Sequence, residues 1–205
     1  MPRIKLTKGE FKKQRDALKQ YERYLPTLQL KKQQLQLEIL RQLNIFAEKK
    51  HSQDQERKLI ISWIGLLEDP VISIKPYLII NKITTGLKNI AGVDIPIYEN
   101  IEFPPAEYDL FMAPLWVDAA IDALRAYVSV EAQLSVIERG LALLKYELRI
   151  TTQRVNLFEK VKIPEAKENI RLIKIYIGDQ LSNAVGRCKI AKRKIEELEL
   201  EGVGV

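Results

Sequence analysis

The chain has 205 residues, with 33 Lys and Arg against 27 Asp and Glu for a net charge of +6, and is 46% hydrophobic, 29% charged and only 7% aromatic. That balance is too apolar for a disordered polymer, and abundant Leu, Ile, Lys and Glu favour helix. A single cysteine, Cys188, excludes an internal disulfide and every cysteine-cluster metal site, and no apolar run approaches the roughly 18 residues of a membrane span.

The N-terminal stretch MPRIKLTKGEFKK has no apolar core of signal-peptide length, so a soluble protein, not exported by that route, is expected. A helix start follows in TKGE, where Thr7 can cap the backbone and Glu10 can reach back to complete a capping box. Leu18, Tyr21, Leu25, Leu28, Leu35, Ile39 and Phe46 then step by threes and fours, with polar Lys32 and Gln42 at seam positions. This imperfect heptad predicts an N-terminal coiled-coil helix over residues 1–66. Pro26 lies inside it and, lacking a backbone donor, should kink the helix or divide it into two segments; a bend is expected rather than a domain boundary.

Six of the nine prolines (Pro70, Pro76, Pro96, Pro104, Pro105 and Pro114) fall between residues 70 and 114, leaving Pro2, Pro26 and Pro164 to the flanks, and an irregular or β insert is expected over 67–113. Within it, YLIINKITTGLKNIAGVDIPIYENIEF is rich in β-branched residues. A small hairpin is predicted, with Gly86 and Gly92 available for turns and Pro96 at an edge. Trp63 and Trp116 bracket the insert and are expected to pack it onto the helices.

The C-terminal part, 114–205, has the stronger period: Leu134, Ile137, Leu141, Leu144, Leu148, Thr151, Val155 and Phe158 step three and four without a miss. Past Pro164 the pattern resumes with Ala166, Ile170, Ile173, Ile177, Leu181, Ala184, Cys188, Ala191, Ile195 and Leu198, with a stutter around Ile177. Cys188 is thereby expected to be a small buried hydrophobe. A helix from near Leu115 to Leu200 would extend roughly 120 Å. The expected fold is mainly α, one elongated domain. Long N- and C-terminal helices form an antiparallel two-helix coiled coil, with the proline-rich, hairpin-containing insert at the end away from the termini.

Residues 1–32 hold ten Lys or Arg against three acids, and RCKIAKRK at 187–194 holds five basic residues, so antiparallel pairing brings two basic runs together. A basic coiled-coil scaffold or chaperone fits such a surface. A nucleic-acid-binding helical hairpin also fits the charge, but no aromatic platform lies among these basic residues. Neither G-x-x-x-x-G-K-[ST] nor G-x-G-x-x-G occurs, and the lone His51 sits in polar EKKHSQDQERK, expected at the surface. Glu196, Glu197, Glu199 and Glu201 read as solvated helix. No catalytic residue, cofactor or metal ligand is assigned.

Two blocks carry a resemblance. TTQRVNLFEKVKIP resembles the signature of the D subunit, the central rotor-stalk component of V-type and A-type ATPases, approximately T-x-R-V-N-A-[LI]-E-x-V-x-I-P. Thr152, Arg154, Val155, Asn156, Glu159, Val161, Ile163 and Pro164 match it, with Leu157 at its alanine place. KNIAGVDIPIYE is similar to the family's N-[VI]-A-G-V-x-[LI]-P-x-[FY]-E, with Asn89, Ile90, Ala91, Gly92, Val93, Ile95, Pro96, Tyr98 and Glu99 in place. The resemblance covers essentially the whole chain. It departs where DQLSNAVGRCKIAKRK retains only Lys189 and Ile190 of a more acidic and aromatic stretch, and where Gln33 and Gln34 replace Arg-Asp.

The resemblance implies a non-catalytic axle whose terminal end enters a ring of alternating A and B subunits and whose lower part binds the F subunit. An adaptor would join it to the membrane ring that moves protons or sodium, which puts the chain in the cytoplasm, peripheral to the membrane. Arg154 can meet an acidic loop of the ring or of the F subunit, or pair with a carboxylate on the neighbouring helix. Asn156 can fix helix register by a hydrogen bond. Glu159 and Ile163, with the Asn89, Gly92, Val93 and Pro96 block, complete the interface candidates. A bend at Pro164 would give the shaft an eccentric profile; a tolerated kink is the plainer alternative.

Overall fold

The computed structural model of the protein describes residues 5–68, 73–109 and 113–202. Pro2 and Pro70 lie outside the described residues, as do the side chains of Leu198, Glu199 and Glu201. Helix α1 (Lys8–Trp63) runs 56 residues without interruption through Pro26, so the proline does not divide it. Its start is capped on one side only: the Thr7 hydroxyl accepts from the Glu10 amide at 3.2 Å. The Glu10 carboxylate takes the Gln14 amide instead, at 2.9 Å, and the Thr7 N–H bonds the Lys5 carbonyl.

Contacts divide the chain into two compact units, one of the segments up to Gln29 and from Gln153 onward, the other of Leu30–Thr152. In the second unit, α1 runs antiparallel to α2 (Trp116–Leu157), since Leu35 and Ile39 meet Leu144 and Leu141 while Lys31 bonds Glu147 at 3.1 Å. The seam positions read from the sequence face inward. Leu35 and Leu144 are fully buried, and each stabilises the pair by about 2 kcal/mol through apolar area removed from water. The half-buried Lys32 and Gln42 occupy the polar seam places.

Strands β1 (Lys82–Ile90) and β2 (Val93–Glu102) pair antiparallel as a two-stranded hairpin. Its two-residue loop has Ala91 at φ 51° and Gly92 at φ 76°, both in the left-handed region that makes the tightest hairpin turn. Gly92 therefore supplies a turn as expected. Gly86 does not: it lies inside β1 opposite Ile97, beside the Glu99 side chain. One residue away, the register shifts between Thr84 and Thr85, leaving Glu99 as the extra residue of a bulge. In a sheet of two strands both are edges, which accommodates Pro96 opposite Leu87.

Ile95 enters the core of Leu35, Ile39, Leu141 and Leu144, with Ile90, Ala91 and Val93 packed on its margin, so the hairpin lies on the helix pair. A second core joins Ile74, Val117, Ala120 and Ile121 to Trp63 and Trp116. Both tryptophans thus pack the insert to the helices. Two 3₁₀ turns, Ile64–Glu68 and Lys75–Leu78, replace regular structure here. Arg125 ties the segments together by donating to the Tyr77 carbonyl at 3.2 Å and the Pro104 carbonyl at 2.6 Å, its guanidinium over Phe103.

In the first unit, the N-terminal part of α1 faces the end of α2, a π-helical turn at Phe158–Lys162 and α3 (Ile163–Gly202). Tyr21 stacks on Phe158 with centroids 5.3 Å apart, and the Asn169 amide reaches Gln14 at 3.4 Å, so this pairing is also antiparallel. Val155, Ala166 and Ile173 are buried along the seam. Beyond Ile177 the inward pattern stops: Leu181, Ala184, Cys188, Ala191 and Ile195 are exposed. Cys188 is not the buried hydrophobe expected from its seam position. The physical reason is length, because Thr7 and Lys8, where α1 begins, lie beside Ile177–Arg187, and no described residue extends far enough to cover the rest.

Candidate partner-binding surface

The block Asn89–Glu99 acts as an anchor. The Asn89 side chain accepts from the Gly92 amide at 3.1 Å and donates to the Asp94 carboxylate at 2.7 Å, fixing the turn from inside. Val93 is half-buried on the core margin, and the Pro96 carbonyl approaches helix α2 at Gly140, where a side chain's first carbon would lie 3.8 Å away. Tyr98 shares a hydrogen bond with Ser129 at 3.2 Å. The Asn89 bonds brace the turn, and the Val93, Pro96 and Tyr98 contacts dock the hairpin; its exposed large apolar side chains are Ile83, Leu87 and Ile97.

The block Thr152–Pro164 is different. Val155 is 4% exposed and belongs to the seam, and Ile163 is half-buried, but Arg154, Asn156, Leu157, Glu159, Val161 and Pro164 are exposed. Arg154, Leu157 and Val161 follow steps of three and four along one outward strip of the helix. Arg154 makes no ion pair and Asn156 no side-chain hydrogen bond among the described residues. The cross-helix polar contacts come instead from Asn169, 9% exposed, with Gln14, and from Lys167 with Glu22 at 3.4 Å. Asn169 adjoins the seam residue Ile170, a position that could have drawn notice to it.

Pro164 sits two residues after the π-helical turn, whose last bond runs from the Ile163 N–H to the Phe158 carbonyl, five residues back. The connection is steric. A proline ring inside an α-helix presses on the carbonyl four residues earlier, here that of Lys160, and a widened turn gives that carbonyl room. The turn also has a signature that a three-and-four reading passes over. Counting Phe158 to Ile163 as a step of five, the seam Thr151, Val155, Phe158, Ile163, Ala166, Ile170, Ile173, Ile177 alternates threes and fours everywhere else.

Charges on α3 are mostly satisfied locally. Arg171 grips the Glu168 carboxylate at 2.7 and 2.9 Å, and these hydrogen bonds hold the Glu168 pKa below its ordinary value while raising that of Arg171. Glu196 and Glu197 pair with Lys192 and Arg193, one turn earlier. His51 is exposed, near Gln55 at 3.1 Å. Among the described residues no group of three or more His, Cys, Asp or Glu is placed to hold a metal ion, and no helix is long and apolar enough to cross a membrane.

Two exposed surfaces carry apolar and basic side chains together: the outward strip at 154–161, and the exposed end of α3, where Leu181, Val185, Ile190 and Ile195 alternate with Arg187, Lys189, Lys192 and Arg193. The pattern of the ATP synthase D-subunit family matches residues 10–193. A relative from Borreliella burgdorferi, named as the D subunit of a V-type ATP synthase, is 45% identical over 195 residues, covering 95% of this chain and 96% of its own. A protein of the same name in Chlamydia pneumoniae is 34% identical, covering 97% and 96%, and one in Chlamydia muridarum is 33% identical, covering 95% and 97%.

Proposed function

Because the chain belongs to the ATP synthase D-subunit family, we propose that it is the central-stalk axle of a V/A-type rotary ATPase, a component without an active site of its own. The observation that carries this reading is the extent of the family match, which reaches across α1, the hairpin, α2 and most of α3. Rotation of the axle couples ATP hydrolysis or synthesis by the A and B subunits to proton or sodium movement in the membrane ring. The F subunit and the adaptor to that ring are its further partners, and it works in the cytoplasm, peripheral to the membrane.

The three segments 1–66, 67–113 and 114–205 divide this work. The paired helices give torsional stiffness, because each seam buries apolar side chains that resist sliding. The insert carries the hairpin anchored through Asn89, Gly92, Val93 and Pro96. Arg154, Asn156 and Glu159, the exposed polar members of the second block, contact partners, whereas Val155, Ile163 and Pro164 shape the helix that presents them.

Co-expression with A, B and F subunits, followed by purification and ATPase assay with and without this chain, tests the reading. A defined complex whose coupled turnover requires the chain is expected. A chain that remains alone, or that binds nucleic acid in a salt-sensitive manner at physiological ionic strength, overturns it.

A further inference from the structure

The π-helical turn at Phe158–Lys162 has a feature that packing does not require. It contributes one residue beyond the seam's alternation, and with that residue removed the same apolar positions would follow threes and fours from Thr151 to Ile177 without a break. A continuous α-helix one residue shorter would bury the same side chains with a full ladder of backbone hydrogen bonds. The chain instead keeps a widened turn followed by Pro164, which has no N–H to donate.

The two faces of this turn are unequal. On the inner face, Phe158 rests on Tyr21 at 5.3 Å, with Val155 and Ala166 buried on either side. On the outer face, Leu157 is 45% and Val161 49% exposed and Pro164 is exposed, so this side of the turn is open to solvent. A place where the ladder is weakened, gripped on one side by an aromatic pair and free on the other, has the build of a joint.

We propose that Phe158–Pro164 is a compliant joint in the second long helical stretch of the chain, with Tyr21 and Phe158 as its pivot, built to bend and twist under load. The extra residue and Pro164 act together: the first widens the turn, and the second prevents it from closing into a regular α-helix. The functional part of this inference rests on the rotor reading, since a joint matters where the chain transmits torque.

The test uses the full-length chain and one redesigned variant in which Lys160 is deleted and Pro164→Ala restores the missing donor. In the unaltered protein, backbone amides of residues 158–163 should exchange hydrogen about tenfold faster than those of 151–155 and 166–173. In the variant they should slow to the rate of their neighbours while helicity is retained. Equal exchange in the unaltered protein overturns the joint, and a variant that loses its helix overturns the claim that the extra residue is dispensable for packing.

Both chains are then assembled with A, B and F and the membrane ring. The variant should hydrolyse ATP and move ions about threefold more slowly at an unchanged number of ions per ATP, because a stiff helix cannot store torque between the catalytic and transport steps. An unchanged rate overturns the mechanical role. A complex in which even the unaltered chain leaves turnover unaffected sinks the rotor reading, while the exchange measurement still decides the joint.

Discussion

Two glycines in the second unit show how one methyl group can act in opposite directions. Gly92 has φ 76°, so Gly92→Ala forces a side chain into the left-handed region and should cost about 1 kcal/mol or more, lowering the urea midpoint. Gly140 lies inside α2 with its nearest foreign atoms 3.8 Å from an added carbon, an ordinary contact, and Gly140→Ala should raise stability by about 0.5–1 kcal/mol. Finding both substitutions destabilising would mean that the hairpin sits closer to α2 than these distances allow. Arg125 sets a third case. Its two bonds to the Tyr77 and Pro104 carbonyls are charge-assisted, and Arg125→Ala should cost about 2 kcal/mol, read as a lower melting temperature and faster proteolysis of the insert.

Within elements, burial separates residues that the sequence pattern treats alike. Leu144 is fully buried and Leu181 is 55% exposed, although both occupy seam places. Leu144→Ala should therefore cost about 2–5 kcal/mol of stability and Leu181→Ala under about 0.5 kcal/mol. If equal losses were measured in the isolated chain, the end of α3 would have to be covered. The pH response of α3 belongs here too. Because hydrogen bonds from Arg171 lower the Glu168 pKa, the pair favours the helix above the unfolded carboxylate value of 4.5 and loses that effect as pH falls through the lowered value. Helical circular dichroism should drop slightly in that acidic range, and Glu168→Gln should flatten the drop.

These elements also differ in how legible they are in the sequence. The seams of α1 and α2, the hairpin and the packing role of Trp63 and Trp116 follow from periodicity and β-branching, because each has a local cause. The fate of Cys188 does not, since it depends on where a distant helix begins; nor does the bulge at Glu99, which arises only once two strands pair. The π-helical turn is half visible. Its proline stands out, but the five-residue step from Phe158 to Ile163 can be recognised only when the seam is traced through the proline instead of resumed beyond it.

For the molecule as a whole, stability is unevenly distributed between the units. The second contains both apolar clusters, whereas among the described residues full burial in the first is confined to a single file through Val155, Ala166, Asn169 and Ile173. Amides in residues 8–29 and 166–177 should accordingly exchange faster than those in 35–46 and 134–148, and the reverse order would require partners for the first unit that the free chain lacks. The antiparallel pairing has a consequence in time as well. Separation along the chain grows from 31 residues at Tyr98–Ser129 and 48 at Tyr77–Arg125 to 116 at Lys31–Glu147 and 155 at Gln14–Asn169. Closing the longest loop directly costs about 1.4 kcal/mol more than closing the shortest, but each pair formed in that order leaves the next only a short gap. The expected order is therefore that of a zip closing from the insert outward, with residues 8–29 and 166–177 pairing last, and pulsed hydrogen exchange during refolding should protect 134–148 before 166–177.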